Sequence, residues 1–262
     1  MNLDLTGKHA IVCGSTQGIG LASAHELASL GARVCLIARN EQSLVKVKGT
    51  LPTPSGQAHT HLVADFEAPE TLRWKIAEYV ADNAPVHILV NNTGGPPGGP
   101  VSEATEEAFV RAFRMHVLCN QILVQAVIPG MKAAGYGRIV NVISTSVKQP
   151  IPGLGVSNTI RGAVANWSKT LAGELGPFGI TANNVLPGAT DTVRLHAIIE
   201  KKAEKAGVSV EEAAAAMRAA IPARRFARSE EIAGAVAFLA SPSAGYINGI
   251  NLPVDGGRTG CL

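Results

Sequence analysis

The stretch "GLGVSNTIRGAV", residues 153–164, sets Ser157 and Arg161 four positions apart, so on a helix both project from one face. A hydroxyl there can hydrogen-bond a carbonyl, and a guanidinium carries a fixed charge with a fork of donors. Neither titrates near neutral pH. A second chemical stretch lies near the amino terminus, "AIVCGSTQGIGLASAHELASLGARVCLIAR", where Gly14, Gly18 and Gly20 stand between a strand-like run and a helical pattern. Gly14 permits a tight turn, Gly18 the close approach of a phosphate, and Gly20 close packing of helix on sheet. The helix amino terminus then offers free N–H groups to a pyrophosphate. Ser15, Gln17 and Ile19 belong to the same turn and are candidate cofactor contacts. Arg39 follows the second strand-like run, where an NAD site usually offers a carboxylate to the adenosine ribose. An arginine there can clamp a 2′-phosphate, which favours NADP(H) over NAD(H), or it can simply snorkel from a strand end. Asp65, with Phe66 beside it, reads either as an acceptor for the adenine amino group or as a turn-forming residue.

Positioning such groups requires a scaffold, and the chain spells one out. Short apolar runs, "HAIVCG", "ARVCLIA", "THLVAD", "VHILVNN", "GRIVNVIS", "ITANNVL" and "GINLPVD", alternate with helical patterns at about 18–30, 40–49, 67–82, 104–134, 157–176 and 229–240. That alternation predicts a Rossmann-like, doubly wound α/β fold, a parallel sheet of about seven strands flanked by helices. Low aromatic content (4%) beside 46% hydrophobic residues suits a buried parallel sheet, and 262 residues suit one domain over 1–262. Two segments break the rhythm. "NNTGGPPGGP" at 91–100 is an ordered loop past a strand end, and 189–222 is too long for an ordinary connection. Its own helical patterns read as a substrate lid or as a surface or oligomer-facing decoration.

The formal charge of +3 is spread thinly. The one basic cluster, Arg224, Arg225 and Arg228, reads as a solvated helix approach, so no nucleic-acid partner is expected. Cys13, Cys35, Cys119 and Cys261 show no metal-ligand spacing, which predicts reduced thiols and no metal. The amino terminus lacks signal-peptide character, and no unbroken apolar stretch reaches the roughly 18 residues of a bilayer span. A cytoplasmic protein with no membrane partner is expected.

With these motifs the chain resembles, over its full length, the short-chain dehydrogenase/reductase family, specifically its single-domain ketoacyl reductase type. The resemblance rests on Gly14, Gly18, Gly20 and Asp65, "NNTG" at 91–94, Ser144, "NNVLPGATDT" at 183–192 and "LPVDGG" at 252–257. It implies that Asn92 and Gly94 border the adenosine ribose, and that Pro187, Gly188, Thr190 and Thr192 border the nicotinamide. Asn91 is similar to the family's strand-tying asparagine. The resemblance also implies a homotetramer, or failing that a homodimer, paired through the apolar last helix and final strand.

The reacting face departs from the family pattern. Family members use an Asn on the long helix, a Ser after the fifth strand, and a Tyr and Lys four residues apart on the next helix. Counting onto this sequence places His116 at the Asn, Ser144 at the Ser, Ser157 at the Tyr and Arg161 at the Lys. Ser144 keeps its role of polarising a carbonyl, and Arg161 can still hold the nicotinamide ribose without relaying a proton. Ser157 is too weak an acid to replace a phenol. His116 alone has an ordinary pKa suited to proton transfer, and it reads either as the proton carrier or as a packing residue. Lys148, four residues past Ser144, is a further candidate near the mouth. The leading expectation is an NADP(H)-dependent oxidoreductase interconverting a ketone, including a 3-oxoacyl group, and a secondary alcohol. The alternative is a catalytically impaired protein that binds NAD(P)(H) or a metabolite in a regulatory role.

Overall fold

The computed structural model describes residues 1–261. Strands β1 (His9–Cys13), β2 (Arg33–Ala38), β3 (Thr60–Val63), β4 (Ile88–Asn91), β5 (Gly137–Val142), β6 (Ile180–Pro187) and β7 (Asn251–Val254) form one parallel sheet. Their order is β3-β2-β1-β4-β5-β6-β7, so the direction of winding reverses between β1 and β4. A crevice opens at the carboxyl ends of the strands at such a reversal. The connecting helices are α1 (Gly18–Ser29), α2 (Glu41–Lys48), α3 (Pro69–Asn83), α4 (Glu106–Phe113), α5 (Cys119–Ala134), α6 (Gly155–Leu175), α7 (Val193–Ala206), α8 (Val210–Ala219) and α9 (Ser229–Ala240).

Both sheet faces are covered, which is why the strands read as continuous apolar runs rather than alternating ones. Along β1, Ala10 and Val12 join a core with Leu27 of α1 and Val236 of α9. Ile11 and Cys13 point the other way, into a core with Leu72 and Ile76 of α3, Leu123 of α5 and Leu171 of α6. One face of α9 packs inside the protomer, and β7 is a half-buried edge strand. Val110, Phe113 and Leu118 are large apolar side chains exposed on the rod that runs from α4 into α5.

That rod deviates from the uniform helix expected over 104–134. A π turn, Arg114–Leu118, joins α4 to α5 and contains His116. Glu106–Ala134 is apolar and long enough, by composition, to cross a membrane, yet here it packs against α3, α6 and the sheet. The long excursion after β6 folds as the pair α7 and α8, with Leu195, Ile199, Ala203 and Ala213 forming a small core of their own. Thr192 caps α7 by accepting from the Leu195 N–H at 3.3 Å, and Ser209 with Glu212 forms a capping box on α8. Within the basic cluster before α9, Arg225 makes a two-pronged ion pair with Glu231.

Candidate active site

The crevice begins at the turn between β1 and α1. Gly14 has φ +58°, and a methyl group on it would stand 2.6 Å from the Asn92 carbonyl oxygen. On Gly20 it would stand 2.2 Å from the Gly14 carbonyl oxygen, so only hydrogen fits there. Gly18, at φ +54°, faces Thr192 with 3.2 Å between its would-be methyl and the Thr192 Cγ2. Gln17 precedes α1 without capping it through its side chain, which leaves the first N–H groups of the helix without a side-chain acceptor. Together these features make a cradle shaped for a pyrophosphate. Arg39 is exposed beyond the end of β2 and makes no hydrogen bond or ion pair among the described residues.

Four expected cofactor contacts spend their side chains on the scaffold. The Ser15 hydroxyl is buried and donates to the Ile37 carbonyl, tying the turn to β2 rather than facing the crevice. Ile19 packs on the core beneath α1. The Phe66 side chain is buried against α3 and α5, because an apolar ring beside the strand end gains more by entering the core. Asn92 directs its amide N–H groups at the Cys13 and Gly14 carbonyls, clamping the glycine turn from behind. Asp65 is half-buried and accepts from the Glu67 N–H at 3.0 Å, the turn-forming arrangement. On the opposite wall, Pro187 ends β6 and Gly188 packs on the Asp255 backbone. The Thr190 hydroxyl donates to the Gly188 carbonyl, and that of Thr192 to the Thr190 carbonyl.

Below the crevice runs a line of amides. Asn91 donates to Asn141 at 2.8 Å, Asn141 to Asn184 at 3.0 Å, and Asn184 to Asn251 at 2.8 Å, each pair in register across β4, β5, β6 and β7. Asn91 does tie strands, and it is the first of four. The other three carry a signal in sequence, a polar residue inside an otherwise apolar strand, that only a comparison of the strands would have exposed.

The reacting wall is built by α6, the end of β5 and the π turn. Ser144 accepts from the Ser146 N–H at 3.1 Å, so its own hydroxyl hydrogen is free to donate. Ser157 makes no side-chain hydrogen bond among the described residues and lies one turn before Arg161. Arg161 is 8% exposed, and its two terminal nitrogens donate to the Val142 and Thr93 carbonyls, each at 3.1 Å. Arg194, at the start of α7, donates to the Gly95 and Pro96 carbonyls at 2.8 and 3.2 Å. Sequence reasoning missed Arg194. Its signal was a cation in the first turn of a helix, where the macrodipole favours anions.

His116, which the sequence leaves as either a proton carrier or a packing residue, is held far from neutrality. It is 2% exposed, and burial, with the charges of Arg161 and Arg194 adding to it, holds its pKa down to about 2. The Gly94 carbonyl beside the ring opposes that shift only weakly, and the ring Nε2 has no partner. His116 is therefore a neutral imidazole at physiological pH. Burial, with Arg194 adding to it, also lowers Arg161, to about 10. No phenol substitutes: Tyr79 bonds His9 and Thr60, Tyr136 donates to the Ala240 carbonyl, and Tyr246 is fully exposed. Lys148 is half-buried beside the carboxyl-terminal segment, its carbonyl facing the Cys261 thiol at 3.6 Å.

Comparisons with known proteins agree with this fold. Residues 14–259 match the family described as Enoyl-(Acyl carrier protein) reductase. Dehydrogenase/reductase SDR family member 4 from Sus scrofa is 33% identical over 259 residues, covering 98% of this chain and 89% of that protein. The 3-oxoacyl-(acyl-carrier-protein) reductase of Haemophilus influenzae is 34% identical over 253 residues, covering 97% and 98%. The solved structure of L-sorbose reductase from Gluconobacter frateurii, complexed with NADPH and L-sorbose, superposes with TM-score 0.92 at 30% identity over 100% of both chains. A switch-point crevice floored by glycines, matched end to end by such relatives, identifies the chain as a member of the short-chain dehydrogenase/reductase family.

Proposed function

We propose that this chain is an NADP(H)-dependent oxidoreductase interconverting a ketone and a secondary alcohol, and that no side chain titrates at the reacting oxygen in the neutral range. The observation that carries this reading is Ser144, whose hydroxyl is held by the Ser146 N–H with its hydrogen free, on a wall with the buried charge of Arg161. The cradle of Gly14, Gly18, Gly20 and the start of α1 would hold the pyrophosphate, and unpaired Arg39 would offer the 2′-phosphate charge-assisted hydrogen bonds. Bound there, the dinucleotide supplies or accepts the hydride. Ser144 donates to the substrate oxygen, and Ser157 offers a second hydroxyl from α6. Arg161 contributes fixed positive potential in a water-poor wall, stabilising the developing alkoxide without protonating it. Solvent supplies the proton, because His116 is held near 2 and Arg161 near 10.

A second reading, cofactor binding without turnover, draws on one observation: two backbone carbonyls already occupy the Arg161 guanidinium. NADPH fluorescence titration combined with NADPH consumption over a panel of ketones separates the two. Saturable binding with ketone-dependent consumption, flat between pH 6 and 8, is expected. Binding without consumption supports the second reading, and failure to bind either nicotinamide cofactor sinks both.

A further inference from the structure

Arg161 lies almost wholly out of solvent, and no carboxylate of the described residues pairs with it. The ion pairs among the described residues sit elsewhere, such as Glu67 with Arg111 and Glu231 with Arg225. The partners of Arg161 are neutral carbonyls, which orient a guanidinium but do not compensate its charge. A second cation is aimed at the same place. A methyl group built on Gly95 would stand 2.7 Å from one terminal nitrogen of Arg194 and 3.5 Å from one of Arg161, so the two guanidinium groups face each other across a residue with no side chain. Burial lowers the proton affinity of both groups, and at Arg161 the charge of Arg194 adds to it. The α7 macrodipole opposes Arg194 as well.

Other buried polar atoms nearby also lack partners. They are the hydroxyl of Thr93, whose own carbonyl receives Arg161, and Nε2 of His116, whose titration both arginines suppress. Each guanidinium has five N–H donors, and only two of those on each arginine are spent on backbone. An arrangement of two converging cations with spare donors is unfavourable alone and becomes favourable around an anion.

We propose that Arg161 and Arg194 form an anion-receiving subsite for the carboxylate of an oxo-acid or hydroxy-acid substrate. This rests on the oxidoreductase reading given above and assigns its substrate class. The carboxylate would lie across the two forks with Gly95 leaving the room, and the oxygen of the carbonyl to be reduced would reach Ser144 from there. Arg194 belongs to the first turn of α7 and already ties that helix to the loop after β4.

The test compares acetoacetate with methyl acetoacetate, and 2-oxobutyrate with its methyl ester, in the presence of NADPH. Malonate and oxalate serve as anions that cannot be reduced. The acids are expected to exceed their esters at least tenfold in kcat/KM. Malonate or oxalate should shift the melting temperature of the NADPH complex upward. In Arg194→Gln the KM for the acids should rise about tenfold, the preference for acid over ester should collapse, and the anion-induced shift should vanish. Arg194→Lys should recover part of each. Equal turnover of acids and esters overturns the subsite while leaving the oxidoreductase reading intact. Malonate or oxalate binding that depends on Arg194, without turnover of any substrate, supports the subsite and sinks the oxidoreductase reading. Weaker NADPH binding in Arg194→Gln, with acid preference kept, assigns the arginine to a cofactor phosphate and overturns the proposal.

Discussion

The two halves of the crevice prepare for ligands in opposite ways. Around β1, α1 and β2, the chain removes side chains and leaves donors open: Gly14, Gly18 and Gly20 clear space, the α1 amides are uncapped by a side chain, and Arg39 stands free in solvent. Around β5, α6 and the start of α7, it buries charge and ties it down: Arg161 grips two carbonyls and Arg194 grips two more. A half built from vacant backbone tolerates no added atom, whereas a half built from fixed charge depends on which functional groups remain. Substitutions should therefore fail differently on the two sides.

The largest effect is expected from Ser144→Ala. Loss of one donor to a developing oxyanion typically lowers kcat by about 10²–10³, and cofactor affinity, set on the other side, should be retained in an NADPH titration. Next comes Gly20→Ala, whose methyl meets the Gly14 carbonyl at 2.2 Å. Overpacking of this kind costs about 1–3 kcal/mol, visible as a lower melting temperature together with weakened NADPH binding. Arg39→Ala should raise the Kd for NADPH roughly tenfold or more, as one charge-assisted bond is worth about 1.5–3 kcal/mol. The Kd for NADH should move little, and equal losses for both cofactors would break the contrast drawn here.

The smallest effect concerns His116. Its resonances should stay constant between pH 5 and 8, since its pKa is held near 2. The consequence for stability has a definite sign. His116 and His9, the latter lowered to about 4 chiefly by burial, both bind protons more weakly folded than unfolded. The stabilisation of these neutral rings is complete above the unfolded pKa of about 6.5 and is lost as pH falls below it. Each contributes a limiting slope of about 1.4 kcal/mol per pH unit, His9 only down to its folded value. Denaturant midpoints measured from pH 7 to pH 4 would show this, and a flat profile would contradict the buried neutral state.

The same division explains what could be read from the sequence. Glycine spacing and apolar period announce β1, the turn and α1, because backbone clearance and core burial leave local marks. The strand after the turn and its terminal Arg39 were legible for the same reason. That the Ser15 and Phe66 side chains turn inward was not legible, because the choice is made by Ile37 on a neighbouring strand and by a core shared with α3 and α5. The π turn at His116 left no trace, since apolar residues continue through it at helical spacing. Nor could the partners of Arg161 be inferred, because they are carbonyls of Val142 and Thr93, and every residue has one. Ser144, Ser157, Arg161 and His116 were identifiable as positions, but the loss of proton affinity at His116 comes from burial and from two arginines distant in sequence.

The line of asparagines also has a direction. In each rung the Nδ2 of the earlier strand donates to the Oδ1 of the next, so the amide dipoles align head to tail from β4 to β7. Hydrogen bonds arranged in series polarise one another. The oxygen end of the series falls at Asn91, whose Oδ1 is buried without a partner, two residues before the Thr93 carbonyl that holds Arg161. A sheet whose strands all run parallel thus acquires a transverse polarity, negative toward the strand that leads into the arginine-bound loop.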